Sequence, residues 1–296
     1  MSHPILEFAV GDLKVHVLSD GFFSLDGGAM FGVVPKVLWE KKLPADDKNR
    51  VRLATNCLLV TLPDGTRVLA DTGMGDRWSE KERSLYAIDR ETTLAASLAR
   101  VGVALADIDL VVNSHLHFDH AGGNCVANAE GRIVPTFPGA YYIEQDREWE
   151  EANNPHERHR ASYRRDDFQP LVEAGQLRLV RGTSEVAPGV FVEHCPGHCP
   201  GHQILRLESK GEGLVYPGDL MPTAAHVRPT WNMGYDLDVV ATVNGKRALL
   251  ERVLANDWTI CFDHEPVTPL VKVRREVNAK DGREDFVLRS VGEALS

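Results

Sequence analysis

The stretch "NSHLHFDHAGGNC", residues 113–125, places three histidines and an aspartate within six positions and surrounds them with small residues. It closes the apolar run that begins "DLVV" at residue 109. His115 and His117 are two apart at a strand end or in the loop after it, where alternation points both to one side. Asp119 and His120 follow, and Gly122 and Gly123 permit a tight turn behind them. Neutral imidazole and carboxylate suit zinc and other first-row divalent ions. A solvated histidine-rich turn is the plain alternative for a lone His-x-His. The full His-x-His-x-Asp-His behind an apolar strand argues for a metal site.

Working outward, the same arrangement recurs. Asp71 ends "RVLAD", His198 lies in "HCPGHCPGHQ", Asp219 ends "LVYPGD" and His264 ends "TICFDH". Each is a metal-competent residue just after a short apolar run, so the ligands project from the rim of a sheet into one cleft. Taken singly, Asp71 reads as a turn residue, Asp219 as a helix cap and His264 as a core histidine. The combination with residues 115–120 makes a shared site the better reading.

The runs "CLLVTL" (57–62) and "RVLAD" (67–71), separated by "PDG", predict a hairpin. Short β-rich runs also fall at 109–115, 141–145, 177–180, 190–194, 203–209, 214–219 and 259–264. Helical spacing marks 92–102, ending at a glycine cap, and 238–256. Residues 144–174 are charged and helical in parts, and read as an insertion covering the core near the site. The glycine-rich segment 24–39 reads as an ordered loop. The expectation is one α/β domain over 1–296, with two mixed sheets flanked by helices.

The chain has 296 residues, 43% hydrophobic and 26% charged, an ordinary globular balance. Its formal charge of −10 argues against phosphate-backbone partners. The N-terminus lacks a basic segment followed by a long apolar run, and no stretch is long enough to cross a membrane, so a cytoplasmic protein is expected. Five cysteines, an odd number, read as reduced thiols. No Gly-x-Ser-x-Gly elbow is present.

These motifs together resemble those of the metallo-β-lactamase-fold hydrolases. The resemblance runs from about Cys57 to His264 and implies an αββα sandwich with a dinuclear site between its sheets. It implies that His115, His117 and His198 take one metal, that Asp119, His120 and His264 take the other, and that Asp219 bridges them. Asp71 and His202 would support the ligands from behind. Zinc is the implied metal, with manganese, iron or cobalt as alternatives. A shared hydroxide would attack an ester carbonyl, and Asp119 would pass a proton to the leaving group.

"SHLHFDHAGGN" and "PGHCPGHQ" are most similar to the N-acyl homoserine lactonases and their methyl-parathion-hydrolase-like relatives, which implies a small-molecule ester, foremost a lactone. The tyrosine those lactonases carry three residues after the bridging aspartate is Pro222 here. His226, Trp231 and Tyr235 lie further along the same loop, and His226 and Tyr235 are the expected catalytic substitutes. Cys195 and Cys199 read as small buried residues beside the site. Phe22, Phe23, Met30 and Phe31, with Phe118, Trp231 and Tyr235, suggest an apolar pocket; Phe23, Met30, Phe118 and Trp231 are its expected lining. A homodimer is compatible with this reading.

The alternatives are a glyoxalase II-like thioesterase, an aryl or organophosphate ester hydrolase, and a single-iron persulfide dioxygenase. A nucleic-acid phosphodiesterase is disfavoured by charge. The segment "VKVRREVNAKDGRE" (271–284) is basic at first and reads as a solvated tail segment rather than a glutathione-binding patch.

Overall fold

The computed structural model describes residues 5–277, 284–291 and 293–295. Its strands are β1 (Ile5–Val10), β2 (Leu13–Asp26), β3 (Arg50–Thr61), β4 (Arg67–Ala70), β5 (Leu110–Val112), β6 (Cys125–Ala127), β7 (Ile133–Pro135), β8 (Tyr141–Gln145), β9 (Leu177–Val180), β10 (Thr183–Ala187), β11 (Val190–His194), β12 (Gln203–Ser209), β13 (Glu212–Tyr216), β14 (Thr259–Cys261), β15 (Leu270–Val277), β16 (Glu284–Ser290) and β17 (Glu293–Leu295). Its helices are α1 (Gly27–Phe31), α2 (Lys36–Trp39), α3 (Glu80–Leu85), α4 (Leu94–Arg100), α5 (Phe118–Ala121), α6 (Asp146–Asn153), α7 (Gln169–Glu173) and α8 (Val239–Asn256).

One sheet has the order β17-β1-β2-β3-β4-β5-β8-β9, the other β10-β11-β12-β13-β14-β15-β16, and β6 pairs with β7 apart from both. Strand alternation builds three apolar layers. Leu58, Val60, Val68, Ala70 and Val112 of the first sheet meet Val192, Leu205, Leu207, Leu214 and Cys261 of the second, forming the layer between the sheets. Their sequence neighbours Cys57, Leu59, Leu69 and Val111 face outward against Leu94 and Leu98 of α4 and against Trp149, Phe168 and Leu171. Ile204, Val215 and Ile260 face outward from the second sheet against Leu249, Leu250 and Val253 of α8. These are the two helix-flanked sheets that the strand and helix pattern implied, in the αββα order that the family resemblance implied.

Most pairings are antiparallel, but β4–β5, β5–β8, β8–β9 and β13–β14 are parallel. Parallel neighbours end at the same edge, so the residues after β4, β5, β13 and β14 gather at one rim. Those residues include Asp71, His115–His120, Asp219 and His264.

The hairpin β3–β4 forms with Leu58 opposite Ala70. The two expected helices form as α4 and α8, with Thr93 accepting from Ala96 N–H and Asp238 accepting from Ala241 N–H as N-caps. Residues 24–39 depart from the expected loop. β2 continues to Asp26, whose carboxylate then caps α1 by accepting from Ala29 N–H, and α2 follows. Helices of one turn are too short to show periodicity. The basic run from 271 also departs from a solvated tail. Val271 and Val273 pack under α8 while β15 pairs with β14 and β16, so the charges decorate an alternating strand. Residues 278–283 of that run lie outside the described residues.

Residues 144–174 carry α6, two 3-10 turns and α7. They begin with the last strand residues of β8, cover the outer face of the first sheet, and return to the metal-motif loop through a backbone bridge between His117 and Tyr163.

Candidate metal centre

The loop after β5 is built around Asp71. This residue adopts a left-handed backbone at φ 55°, a conformation costing about 1 kcal/mol that surrounding contacts must hold. Its carboxylate accepts from Ser114 N–H at 2.7 Å, Ser114 Oγ at 2.9 Å, His120 Nδ1 at 2.9 Å and Tyr216 Oη at 2.9 Å. Asp71 therefore fixes the start of the histidine loop and the ring of His120 together. Thr72 donates N–H to His120 O, and Gly123 donates to Gly73 O. A Cβ on Gly123 would lie 2.2 Å from Thr72 O, so that glycine serves close backbone approach.

The side chains expected as ligands meet, with Asp263, in two buried groups that share Asp219. One is His115, His117, His198 and Asp219; the other is His120, Asp219, Asp263 and His264. His198 Nε2 stands 3.1 Å from Asp219 Oδ2 and 3.1 Å from His117 Nδ1, and His115 Nε2 stands 2.9 Å from His117 Nδ1. His264 Nε2 is 3.2 Å from His120 Nε2 and 3.4 Å from Asp219 Oδ1. Asp119 sits at the edge of the second group, with Oδ2 3.5 Å from His264 Nε2 and Oδ1 3.8 Å from His120 Nε2.

The far nitrogens of three of these rings are occupied. His120 Nδ1 faces Asp71, His264 Nδ1 faces Ala54 O at 2.8 Å, and His198 Nδ1 faces Asp236 Oδ1 at 3.1 Å. These acceptors place the proton on Nδ1 and leave the Nε2 lone pair directed into the cluster. Imidazole lone pairs brought within about 3 Å repel unless something positive lies between them. Within the clusters, Asp219 Oδ1 and both Asp263 oxygens have no hydrogen-bond partner. The donor set thus fits divalent cations.

Charge follows the same logic. Burial, with neighbouring imidazoles, pushes His115 and His117 well below the ordinary histidine range. Burial opposes charge on His120 too, but Asp119, Asp71 and Asp219 outweigh it and hold that ring well above its usual range. Asp219 is held well below the carboxylate range, since His198, His120 and His264 outweigh its burial. The carboxylates thus draw positive charge onto His120, and the nest favours a bound cation in the same place.

Above the clusters opens a cavity of about 380 Å³. Its floor is His117, Asp119, His198, Asp219 and His264, and its walls include Leu25, Met30, Tyr86, Phe118, Met233 and Tyr235. Of the expected pocket residues, Met30, Phe118 and Tyr235 line it. Phe23 does not; it is fully buried behind the floor, edge-on to His264 at 5.3 Å. Phe31 stacks between Trp39 and His226, and Phe22 lies beneath the Arg52 guanidinium. Trp231 lines a separate cavity beside Thr223 and Val227.

His226 stands apart from the expectation that it reaches substrate. It is fully buried, donates from Nε2 to Met30 O at 2.9 Å, accepts at Nδ1 from Thr223 Oγ1 at 2.8 Å, and stacks on Phe31 at 4.8 Å. Both ring nitrogens are used inside the loop packing, and it does not line the cavity above the clusters. His202 lies behind the floor, its ring 5.3 Å from His115 and 6.1 Å from His198, and burial lowers it to about 3. Cys195 and Cys199 are free thiols beside the His198 loop, and burial pushes both upward.

Several contributors escaped the sequence reading. Asp236 backs His198. Asn56 donates Nδ2 to Phe262 O and Glu265 O, and its N–H to Asp263 O, clamping the His264 loop. Glu148 of α6 accepts from Leu116 N–H, Tyr163 Oη and Cys199 Sγ, joining both histidine loops. His159 lines the cavity with Nε2 on Glu151 and Nδ1 unpartnered. Asp236, four residues past "TWN", and Glu148 and His159, within 144–174, lie in segments that the sequence singled out, but their roles, like that of Asn56, are set by tertiary packing.

Comparison with known proteins agrees with this geometry. An N-acyl homoserine lactonase of Bacillus cereus is 32% identical over 177 residues, 56% of this chain and 63% of that relative, so the chain spans less than two thirds of its length. The crystal structure of a probable metal-dependent hydrolase from Staphylococcus aureus superposes with a TM-score of 0.84 at 32% identity, covering 96% of this chain and 99% of that one. AidC, a dizinc quorum-quenching lactonase solved with a product, shares the fold at a TM-score of 0.77 and 21% identity, covering 98% of this chain and 99% of that one. A family model described as the metallo-beta-lactamase superfamily matches residues 50–264, and the chain belongs to that superfamily.

Proposed function

We propose that this protein is a two-cation hydrolase of small-molecule esters, with lactones as its foremost substrates. The observation that carries the reading is the pair of donor clusters sharing Asp219 on the floor of an apolar-walled cavity. Divalent ions bound there would lower the pKa of a water towards neutrality and polarise a carbonyl. The chain's own residues supply orientation and proton handling. Asp71, Asp236 and Ala54 O hold three rings with Nε2 inward. Asp119 sits on the cavity floor at the second cluster, where its carboxylate can carry a proton to a departing alkoxide.

Tyr235 is the candidate for the role of the tyrosine absent at Pro222. Burial and then Asp119 raise its phenol, so it stays protonated and able to donate to a substrate oxygen at neutral pH. Leu25, Met30, Phe118 and Met233 offer an acyl chain an apolar surface. The relatives named as N-acyl homoserine lactonases point the same way. Zinc is the favoured ion on the three-histidine cluster.

The aromatic group of Trp78, Tyr86 and Phe118, with ring centroids 5.3–5.8 Å apart, favours aryl esters as a second substrate class. Purified, metal-analysed protein should be assayed on N-acyl homoserine lactones of several chain lengths, simple lactones, aryl esters, phosphotriesters and a glutathione thioester. The lactones should give the highest kcat/KM. A preference for the thioester or phosphotriester by tenfold or more would displace the lactone reading.

A further inference from the structure

Asp263 is the residue that the ligand set implied by resemblance leaves out. It is 1% exposed, and neither carboxylate oxygen has a hydrogen-bond donor. Its Oδ2 lies 3.6 Å from His264 Nε2 and 4.0 Å from His120 Nε2. The backbone that carries it is rigidly held. Asn56 N–H donates to Asp263 O at 2.8 Å, Ala54 N–H to His264 O at 3.1 Å, and Asn56 Nδ2 grips Phe262 O and Glu265 O. Asp119, His120, Asp263 and His264 line one narrow gap beside these atoms. No lysine or arginine forms an ion pair with Asp263 among the described residues. A buried carboxyl group without a hydrogen-bond donor is costly, and a cation in the second cluster supplies what is missing.

The two clusters then differ in chemistry. The first offers three imidazoles and Asp219. The second offers two imidazoles with Asp219, Asp263 and the neighbouring Asp119. Imidazole suits zinc, whereas carboxylate oxygens suit harder ions such as manganese. We propose that Asp263 is a ligand of the second cation, and that it makes the second cluster the oxygen-rich position that accepts a harder ion than the first. This rests on the two-cation reading above.

The test is titration of metal-free protein with Zn²⁺ and, separately, Mn²⁺, followed by calorimetry and thermal unfolding, for the natural chain and Asp263→Asn. The natural chain should bind two ions. Asp263→Asn should keep the first and bind the second at least about tenfold more weakly, with the greater loss for Mn²⁺. Metal-free Asp263→Asn should melt close to the metal-free natural chain, because the substitution removes no hydrogen bond that the Asp263 carboxyl makes. Second-ion affinity unchanged in Asp263→Asn, with two ions on the natural chain, overturns this inference alone. So does a metal-free variant that melts well below its parent, which would make Asp263 structural. A single ion on the natural chain overturns the two-cation reading and this inference with it.

Discussion

Asp236 governs how His198 is presented. A carboxylate accepting from Nδ1–H fixes the ring and raises the basicity of Nε2, and Asp236 is itself held by Met233 N–H through its second oxygen. Asp236→Asn should therefore weaken metal affinity by roughly 10- to 100-fold, as read by competition with a chromophoric chelator. His226 belongs to a different class. Its stack on Phe31 and its two internal hydrogen bonds make it part of the loop packing. His226→Ala should cost about 3 kcal/mol of unfolding stability. The activity of the folded variant should stay within twofold of the parent, and a loss of kcat at unchanged melting temperature would restore a catalytic role.

At the level of elements, α8 anchors the wall of the cavity through a buried lysine. Lys246 Nζ donates to Trp231 O at 2.6 Å, and burial, partly offset by Asp236 and Asp219, lowers it to about 7. The unfolded chain holds the same proton to about pH 10.4. Between those values the unfolded state binds more protons, so this group makes stability rise with pH and withdraws that gain as pH falls through the window. Denaturant unfolding across pH 7–10 should show a shallower rise for Lys246→Met than for the natural chain, by up to about 1.4 kcal/mol per pH unit. Equal slopes would mean that Lys246 keeps an ordinary proton affinity. Helix α6 plays a comparable part for the His198 loop. Gly201 packs so tightly on Glu148 that a Cβ would lie 2.0 Å from its backbone nitrogen, which keeps the His198 loop against the His117 loop.

Across the whole molecule, legibility followed the range of the interactions. The histidine run, the strand-end aspartates and the long helix α8 are local patterns, and the structure gathers them at one rim because β4–β5 and β13–β14 run parallel. The first two strands escaped the reading because β2 is interrupted: its register with β3 shifts between Ser19 and Phe22, which breaks the alternation. β15 was hidden by its arginines, although Val271 and Val273 face the core. The supporting residues were the least visible. Asn56, Glu148 and Asp263 act through partners up to 209 positions away, as in the Asn56–Glu265 hydrogen bond, and nothing in their neighbours announces that. His226 misled for the converse reason: its position in the loop after Asp219 resembled a catalytic one, while the fold turned its ring inward.

The central claim is that two cations held by clusters sharing Asp219 carry the chemistry. Metal-free protein should be titrated with Zn²⁺ while ring opening of an N-acyl homoserine lactone is followed by proton release. The account predicts negligible turnover without metal and a plateau reached at two ions per chain. Full turnover of the metal-free chain, or a plateau at one ion, would contradict it.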